Sequence, residues 1–255
     1  MKRVIKVCVL AALVVSFAGC KRTRHDDVIP ANASSNCLEV AKYISTLPKL
    51  IASKRLQDRG EFNRGIFKMC SALSNDVEVF YIARGLENTA LRTDLRQLDF
   101  QGWQYTESWI RELLFVARGM YSSVSGGREE ALECWFRELD FFDAERERCE
   151  AEARRCEMEA RKCYETARKF ELAGDCESGR DARCAGDNYG RAHCNFMHQA
   201  SLCRGTLSAT CNLMVDSESS VLAKFCKENP GRASKMIARV SKRLGRKPKW
   251  WTTTQ

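Results

Sequence analysis

The longest helical pattern in the chain covers residues 128–173 and reads REEALECWFRELDFFDAERERCEAEARRCEMEARKCYETARKFELA. Gly126-Gly127 precede it and Gly174-Asp175 follow it, which are typical start and stop signals of a helix. One face carries a row with a spacing of seven residues: Trp135, Phe142, Cys149, Cys156, Cys163 and Phe170. Alanines flank this row, and a narrow apolar stripe of this kind is typical of closely packed helices. The pattern predicts one long helix paired with another.

The second helix of this pair is predicted downstream, in residues 176–211. Cys149, Cys156 and Cys163 cannot bond to one another, because seven residues of helix separate Cα atoms by ~10.5 Å and a disulfide allows ~7 Å. Facing residues of an antiparallel hairpin have residue numbers with a nearly constant sum. This rule predicts the nested pairs Cys163–Cys176, Cys156–Cys184, Cys149–Cys194 and Cys134–Cys211. We expect Cys203 to pair with Cys226 and Cys37 with Cys70, although sequence alone leaves the connectivity open.

The cysteine content predicts a structural role for these residues. Without Cys8 and Cys20, an even set of twelve cysteines remains: Cys37, Cys70, Cys134, Cys149, Cys156, Cys163, Cys176, Cys184, Cys194, Cys203, Cys211 and Cys226. No Cys-x-x-Cys pair occurs, so the usual zinc, thioredoxin-like and haem spacings are excluded. His193 and His198 flank Cys194 and leave a metal site as the alternative. We expect a disulfide framework, surface histidines, no metal and no cofactor.

The N-terminus predicts export. Lys2, Arg3 and Lys6 precede an apolar run from Val7 to Val15, which is the layout of a secretory signal peptide. The run is too short to cross ~30 Å of hydrocarbon. Cys20 directly follows Ala18-Gly19 and resembles the lipobox cysteine of bacterial lipoproteins, although Phe17 stands where leucine is usual. The resemblance implies that Cys20 is lipidated and becomes the mature N-terminus. Lys21 replaces the aspartate that retains enteric lipoproteins in the inner membrane, which favours the outer membrane.

The composition predicts an all-α fold, because Ala, Leu, Glu and Arg are abundant and only four prolines occur. We expect helical hairpins, stacked as a bundle or a short array and stapled by disulfides. Five regions follow from the composition: a signal peptide (1–19), a lipidated tether (20–36), an N-terminal helical region (37–127), a cysteine-rich helical hairpin region (128–229) and a basic tail (230–255). Within the N-terminal region, Leu47-Pro48 and Glu87-Asn88-Thr89 indicate breaks between helices.

The basic tail carries the strongest charge asymmetry of the chain, with eight basic and no acidic residues from Arg232 to Lys249. Cationic residues beside tryptophans are typical of contacts with anionic membrane surfaces. The residues expected to contact a membrane or an acidic partner are Lys242, Arg243, Arg246, Lys247, Lys249, Trp250 and Trp251. The alternative is a terminal helix that docks on the core. We expect no nucleic-acid partner.

A sequence repeat connects two segments of the N-terminal half. Residues 80–86, FYIARGL, recur 34 residues later as LFVARGM at 114–120. This offset and the aromatic, glycine and alanine positions around Phe115, Gly119 and Ala131 resemble tetratricopeptide repeats. The resemblance implies stacked helical hairpins with a concave surface for peptides or proteins. It also implies that Phe115, Tyr121 and Trp135 serve in packing.

Sequence motifs for catalysis are lacking: there is no glycine-rich phosphate loop, no Gly-x-Ser-x-Gly and no His-Glu-x-x-His. We therefore expect a non-enzymatic envelope lipoprotein that binds a protein or peptide, or that assists assembly. Two alternatives stay open. A structural protein would carry disulfides between chains, and a cell-wall enzyme would show an open cleft with a glutamate of raised pKa.

Overall fold

The computed structural model describes residues 29–217 except 57 and 74, and residues 224, 227, 228, 231, 238 and 241. Helices dominate this part of the chain, as the composition predicts. They are α1 (Ser35–Ala52), α2 (Arg59–Cys70), α3 (Asp76–Leu91), α4 (Phe100–Ser123), α5 (Arg128–Leu172) and α6 (Cys176–Ser217). Among the described residues, no helix combines the length and the apolar character needed to cross a membrane.

Local sequence fixes where the helices begin. The side chains of Ser34, Asp58, Asn75 and Asp99 accept a hydrogen bond from a backbone N–H in the first turn of α1, α2, α3 and α4. Such caps satisfy donors that a helix N-terminus leaves free. Gly126 and Gly174 have φ angles of +74° and +81°, which glycine adopts without steric cost. They reverse the chain before α5 and after it, as the sequence predicts.

The helix α4 lies at the centre of the core and contacts α1, α3, α5 and α6. Its side chains Trp103, Trp109 and Tyr121 are almost fully buried. Charged groups in the core are paired: the Tyr121 hydroxyl donates to Glu87 at 2.9 Å, and Arg137 also binds Glu87. The Trp103 indole N–H donates to Glu145 at 2.9 Å. Polar bonds between helices therefore fix the packing around α4.

The long hairpin of α5 and α6 confirms the central prediction, since α5 begins at Arg128 and ends at Leu172. The hairpin is antiparallel: the Glu138 carboxylate accepts from Thr210 at 3.1 Å, and the Tyr164 hydroxyl donates to Asp187 at 2.8 Å. The main core cluster contains α5 residues up to Phe142 and α6 residues from Cys203 onward. Residues 149–200 form a two-helix extension beyond that cluster, called the arm below.

The interior of the arm is narrow, as the alanine and cysteine stripe predicts. Its buried α5 side chains are Cys149, Ala153, Cys156, Ala160 and Ala167. Glycines allow close approach from α6: a Cβ on Gly186 would lie 2.8 Å from the Tyr164 ring. Small residues on both helices therefore set the distance between them.

The predicted disulfides are absent from the described residues, where eleven cysteines are free thiols and none lies at disulfide distance from another. The residue-number rule pairs three α6 cysteines with cysteines of α5. These three, Cys176, Cys184 and Cys194, are exposed, whereas Cys149 and Cys156 on α5 are buried. The buried face of α6 is set instead by Gly186, Ala200, Leu207 and Met214, at spacings of seven or fourteen residues. Those three nested pairs are therefore wrong in this structure.

The start of α1 lies beside the end of α2, where the Asn36 side-chain amide donates a hydrogen bond to the Ala72 carbonyl at 3.0 Å. This contact brings Cys37 near Cys70, the pair expected from the sequence. Burial, with a smaller contribution from Cys37, raises the pKa of Cys70 to about 11. Both thiols remain unbonded in the structure.

Two predicted breaks in the N-terminal region are wrong. Pro48 lies inside α1, where buried Ile44, Leu47 and Ile51 continue one apolar face across it. Glu87-Asn88-Thr89 lie inside α3, because the buried Glu87 carboxylate is held by Tyr121 and Arg137. Tertiary contacts thus outweigh the local turn signals.

The two copies of the sequence repeat lie on consecutive helices, residues 80–86 on α3 and 114–120 on α4. A helix–turn–helix repeat of this period would place equivalent residues on every second helix. Gly119 has no neighbouring atom within 4 Å of an added Cβ, so it marks no close contact between helices. The helices from α3 onward therefore differ from a regular tetratricopeptide array.

Three of the predicted features lie outside the described residues. They are the signal peptide with Cys20, Cys226, and the tail residues Lys242, Arg243, Arg246, Lys247, Lys249, Trp250 and Trp251. The export and tail hypotheses stay predictions.

Candidate binding groove

A groove with a volume of about 180 Å³ opens where α2, α4, α5 and α6 meet. Its wall combines polar and apolar side chains. They are Arg59 from α2; Ser108, Arg111, Glu112, Phe115 and Arg118 from α4; Trp135 and Glu138 from α5; and Ala209, Thr210 and Leu213 from α6.

The groove follows one face of α4. Its α4 side chains recur every three or four residues from Ser108 to Arg118, the spacing that places residues on the same side of a helix. The opposite side of α4 is held in the core by Leu113, Leu114 and Ala117. Packing of the core therefore aims this polar and aromatic row at the groove.

The floor of the groove is a buried ion pair. The Arg118 guanidinium stacks on the Trp135 ring at 3.7 Å from its centroid and donates to Glu138. Glu138 also accepts from the Thr210 hydroxyl at 3.1 Å, which ties α4, α5 and α6 together. Both charges are paired and nearly excluded from solvent, so removing either partner alone would leave an uncompensated buried charge.

The rim of the groove is apolar and cationic. Phe115 is 58% exposed and Leu213 is 57% exposed. Arg111 lies beside Phe115, with its guanidinium 3.8 Å from Glu107 and half of its side chain exposed. Arg59 lies in the first turn of α2 and has no ion-pair partner among the described residues. Two exposed apolar groups and two accessible guanidinium groups thus border one opening.

The carboxylates near the groove are already engaged. Glu112 accepts from the Asn63 amide, and Glu138 accepts from Arg118 and Thr210. Burial raises the pKa of Glu107, but this side chain is nearly buried, accepts from the Thr206 hydroxyl at 3.0 Å, and lies outside the groove lining. The glutamate whose pKa burial raises therefore lies beside the groove and not in its lining.

The structure separates the three aromatic residues that were expected to serve in packing. Tyr121 and Trp135 are buried, as expected. The prediction for Phe115 is wrong, because α4 turns this ring out to the groove rim. The signal that would have revealed the rim is the cationic and aromatic row Arg111, Phe115 and Arg118 on one face of α4. Arg59 gives no such signal, since it joins the groove only through the packing of α2.

The histidines considered for a metal site have separate contacts. The His193 Nδ1 atom lies 2.9 Å from the Ala153 carbonyl oxygen, and the His198 ring packs edge-on against Phe100. Within the described ranges, no group of three or more histidine, cysteine or acidic side chains is placed to hold a metal ion.

Comparisons with known proteins add no family to this picture: no protein-family model, no curated protein and no solved structure matches the chain.

Proposed function

We propose that the protein is an exported, non-enzymatic lipoprotein of the bacterial envelope that binds a protein or peptide partner in the groove between α2, α4, α5 and α6. The observation that supports it is that two exposed apolar side chains and two accessible guanidinium groups border the same groove. They belong to Phe115, Leu213, Arg59 and Arg111. Exposed apolar groups beside arginines are typical of interface centres. The groove, and not the repeat resemblance, is the basis of this proposal.

Charge complementarity defines the partner. Arg59 and Arg111 favour a segment with a carboxylate, because a guanidinium group binds a carboxylate through two parallel hydrogen bonds. Phe115 and Leu213 favour a large apolar side chain next to that carboxylate. The chain's own segment from Arg232 to Lys249 carries no acidic residue, so its charge is mismatched with the groove. The proposed occupant is an extended acidic–apolar peptide segment of another protein.

Binding of short labelled peptides to the full chain tests this proposal by fluorescence anisotropy. The probe is an acetylated, amidated hexapeptide that alternates glutamate and leucine, and its matched control replaces every glutamate by glutamine. We expect saturable binding of the acidic peptide that weakens as salt is raised, since exposed charges are screened. Equal binding of both peptides, or binding of neither, contradicts the proposal.

Variants of the rim locate the binding site. Arg111→Ala and Phe115→Ala are each expected to weaken binding at least tenfold, because <30% of interface residues supply most of the energy and arginine and aromatic anchors are typical among them. Arg155→Ala is the matched control, since this arginine is exposed on the arm and pairs with nearby Glu152. Equal affinity of all three variants would place the peptide elsewhere.

The lipid anchor and the disulfides belong to the same proposal. Export through the signal peptide would lipidate Cys20, place the chain in the outer membrane and expose its thiols to an oxidising compartment. The basic tail would then add contact with anionic lipid. Metabolic labelling with radioactive palmitate tests the anchor: the wild-type chain should carry label and Cys20→Ser should not. An unlabelled wild-type chain contradicts it.

A second candidate function follows from the exposed thiols. Cys176, Cys184 and Cys194 all lie on the solvent side of α6, where they are accessible to another chain. A structural protein with disulfides between chains would use them. Electrophoresis of envelopes without reductant tests this role: a ladder of covalent multimers that Cys176→Ser, Cys184→Ser and Cys194→Ser together abolish supports it, and a single monomer band contradicts it.

A further inference from the structure

Two buried thiols lie on facing helices, α5 and α6, where the arm joins the main core cluster. The Cys149 sulfur lies 3.5 Å from the Gln199 Oε1 atom, across the interface of α5 and α6. Cys203 follows Gln199 by four residues, which places it on the same face of α6 about one turn away. Cys149 and Cys203 are both fully buried. Burial, and after it the nearby Cys149 thiol, raises the pKa of Cys203, so the two thiols lie close enough to interact electrostatically across the two helices.

This juxtaposition differs from the pairing that the residue numbers alone predict. Cys194, the predicted partner of Cys149, is exposed on α6. Gln199, Ala200 and Cys203 face α5 instead, and all three are buried. The α6 cysteine on the buried face next to Gln199 is thus Cys203, and not Cys194.

We propose that Cys149 and Cys203, which are free thiols beyond disulfide distance in the packed hairpin, form a disulfide at the base of the arm when the chain folds in an oxidising environment. The site lies at the boundary between the arm and the main core cluster, which includes Cys203. It also lies next to Glu145, which binds the Trp103 indole of α4 and contacts the Cys149 thiol. The bond would hold α5 and α6 together where α4 contacts them.

The reaction is a thiol–disulfide exchange with a disulfide oxidant, either an oxidoreductase or oxidised glutathione. One cysteine thiolate attacks the oxidant's disulfide, forms a mixed disulfide and releases the first oxidant thiol. The second cysteine thiolate then attacks the mixed disulfide, forms the Cys149–Cys203 bond and releases the second oxidant thiol. The two cysteines lose two electrons, which reduce the oxidant, and their two protons end on its thiols.

Burial determines when this exchange takes place. It raises the pKa of Cys149 to about 12 and also raises the pKa of Cys203, so thiolates are scarce at these positions in the folded chain. We therefore expect the bond to form while the hairpin is still open. Once closed, the bond is shielded from reductants by the same burial, whereas Cys176, Cys184 and Cys194 stay accessible.

The test is refolding of the full, reduced and denatured chain in a buffer of reduced and oxidised glutathione, followed by alkylation and peptide mapping without reductant. This measurement is independent of export and of the groove. Trypsin releases Cys149 in residues 149–154 but leaves Cys194 and Cys203 together in residues 192–204. Chymotrypsin, which cleaves after Phe196, separates these two cysteines.

We expect most of the Cys149 peptide to be linked to the Cys203 peptide. The Cys194→Ser variant should retain this link, and Cys203→Ser should leave Cys149 alkylated. Linkage of Cys149 to Cys194, or alkylation of both Cys149 and Cys203 in the refolded wild-type chain, overturns the proposal. Mapping of the wild-type chain decides the matter even when the serine variants fail to fold.

Discussion

Removal of the Arg118 side-chain charge should destabilise the fold strongly. Arg118 and Glu138 are both nearly excluded from solvent, and Arg118 also stacks on Trp135. In Arg118→Met the Glu138 carboxylate keeps only the Thr210 hydroxyl as a partner. Breaking a buried ion pair from one side costs ~3–5 kcal/mol, a large share of the ~5–15 kcal/mol by which proteins are stable.

The double variant shows whether the cost comes from the charge. Arg118→Met with Glu138→Gln leaves no charge on the groove floor, and the glutamine still accepts from Thr210. We expect it to recover at least half of the lost stability, because replacing both partners of a buried pair is often close to neutral. Arg111→Met is the matched control, since its ion pair is long and half exposed. It should cost <1 kcal/mol.

The assay is urea unfolding followed by circular dichroism for five proteins: wild type, Arg118→Met, Glu138→Gln, the double variant and Arg111→Met. Their free energies of unfolding are compared where the dependence on urea concentration is the same. A coupling energy of ~2 kcal/mol or more between Arg118 and Glu138 is the expected result. If Arg118→Met costs no more than Arg111→Met, or if the double variant loses the sum of the single losses, the energetic coupling of Arg118 and Glu138 is refuted.

Three further perturbations test other parts of the structure. Burial raises the pKa of Glu107 above its usual 4.5, so the folded chain binds this proton more tightly than the unfolded chain does. The free energy of unfolding therefore falls as the pH rises from the unfolded-state to the folded-state pKa. Glu107→Gln should be more stable than wild type at pH 8, and chemical unfolding should find this advantage lost at pH 4. Tyr121→Phe removes the hydroxyl that donates to buried Glu87 and should cost ~1–3 kcal/mol; an unchanged urea midpoint would contradict the importance of this bond. Gly205→Ala has open space around the new Cβ and should stabilise α6 by ~0.5–1 kcal/mol. In Gly186→Ala the contact of the new Cβ with the Tyr164 ring should cancel that gain. Equal melting temperatures for the two variants would argue against the narrow arm.

Sequence reasoning located the long helix α5 because glycines bound it and its apolar stripe is continuous over many turns. It also predicted the antiparallel hairpin, since α6 follows after only a short turn. The predicted cysteine pairs are wrong because a sum of residue numbers gives the level of a residue along the hairpin. It does not say whether the side chain lies on the helix face toward the other helix. On α6 the face is set by glycine and alanine, where small residues allow contact with α5.

The groove was beyond sequence reasoning for a different reason. Its lining combines residues near positions 59, 115, 135 and 210 of the chain, and only the α4 row has a local pattern. Phe115 belongs to a repeated motif whose other copy lies in α3, and the resemblance of this motif to tetratricopeptide repeats implied a packing role for Phe115. Its exposure follows from the way α4 is oriented by Trp103 and Trp109, which no local pattern reports.

The most direct test of the central claim is photo-crosslinking from the groove rim in living cells. The photoreactive amino acid p-benzoylphenylalanine replaces Phe115 in the full chain, and in a matched control it replaces Arg161, an exposed residue of the arm. After irradiation, the crosslinked peptides are sequenced. We predict that position 115, and not position 161, captures a segment of another protein in which acidic and large apolar residues adjoin. Crosslinks to the chain's own residues 218–255, to segments without acidic residues, or equally from both positions would contradict the proposed groove.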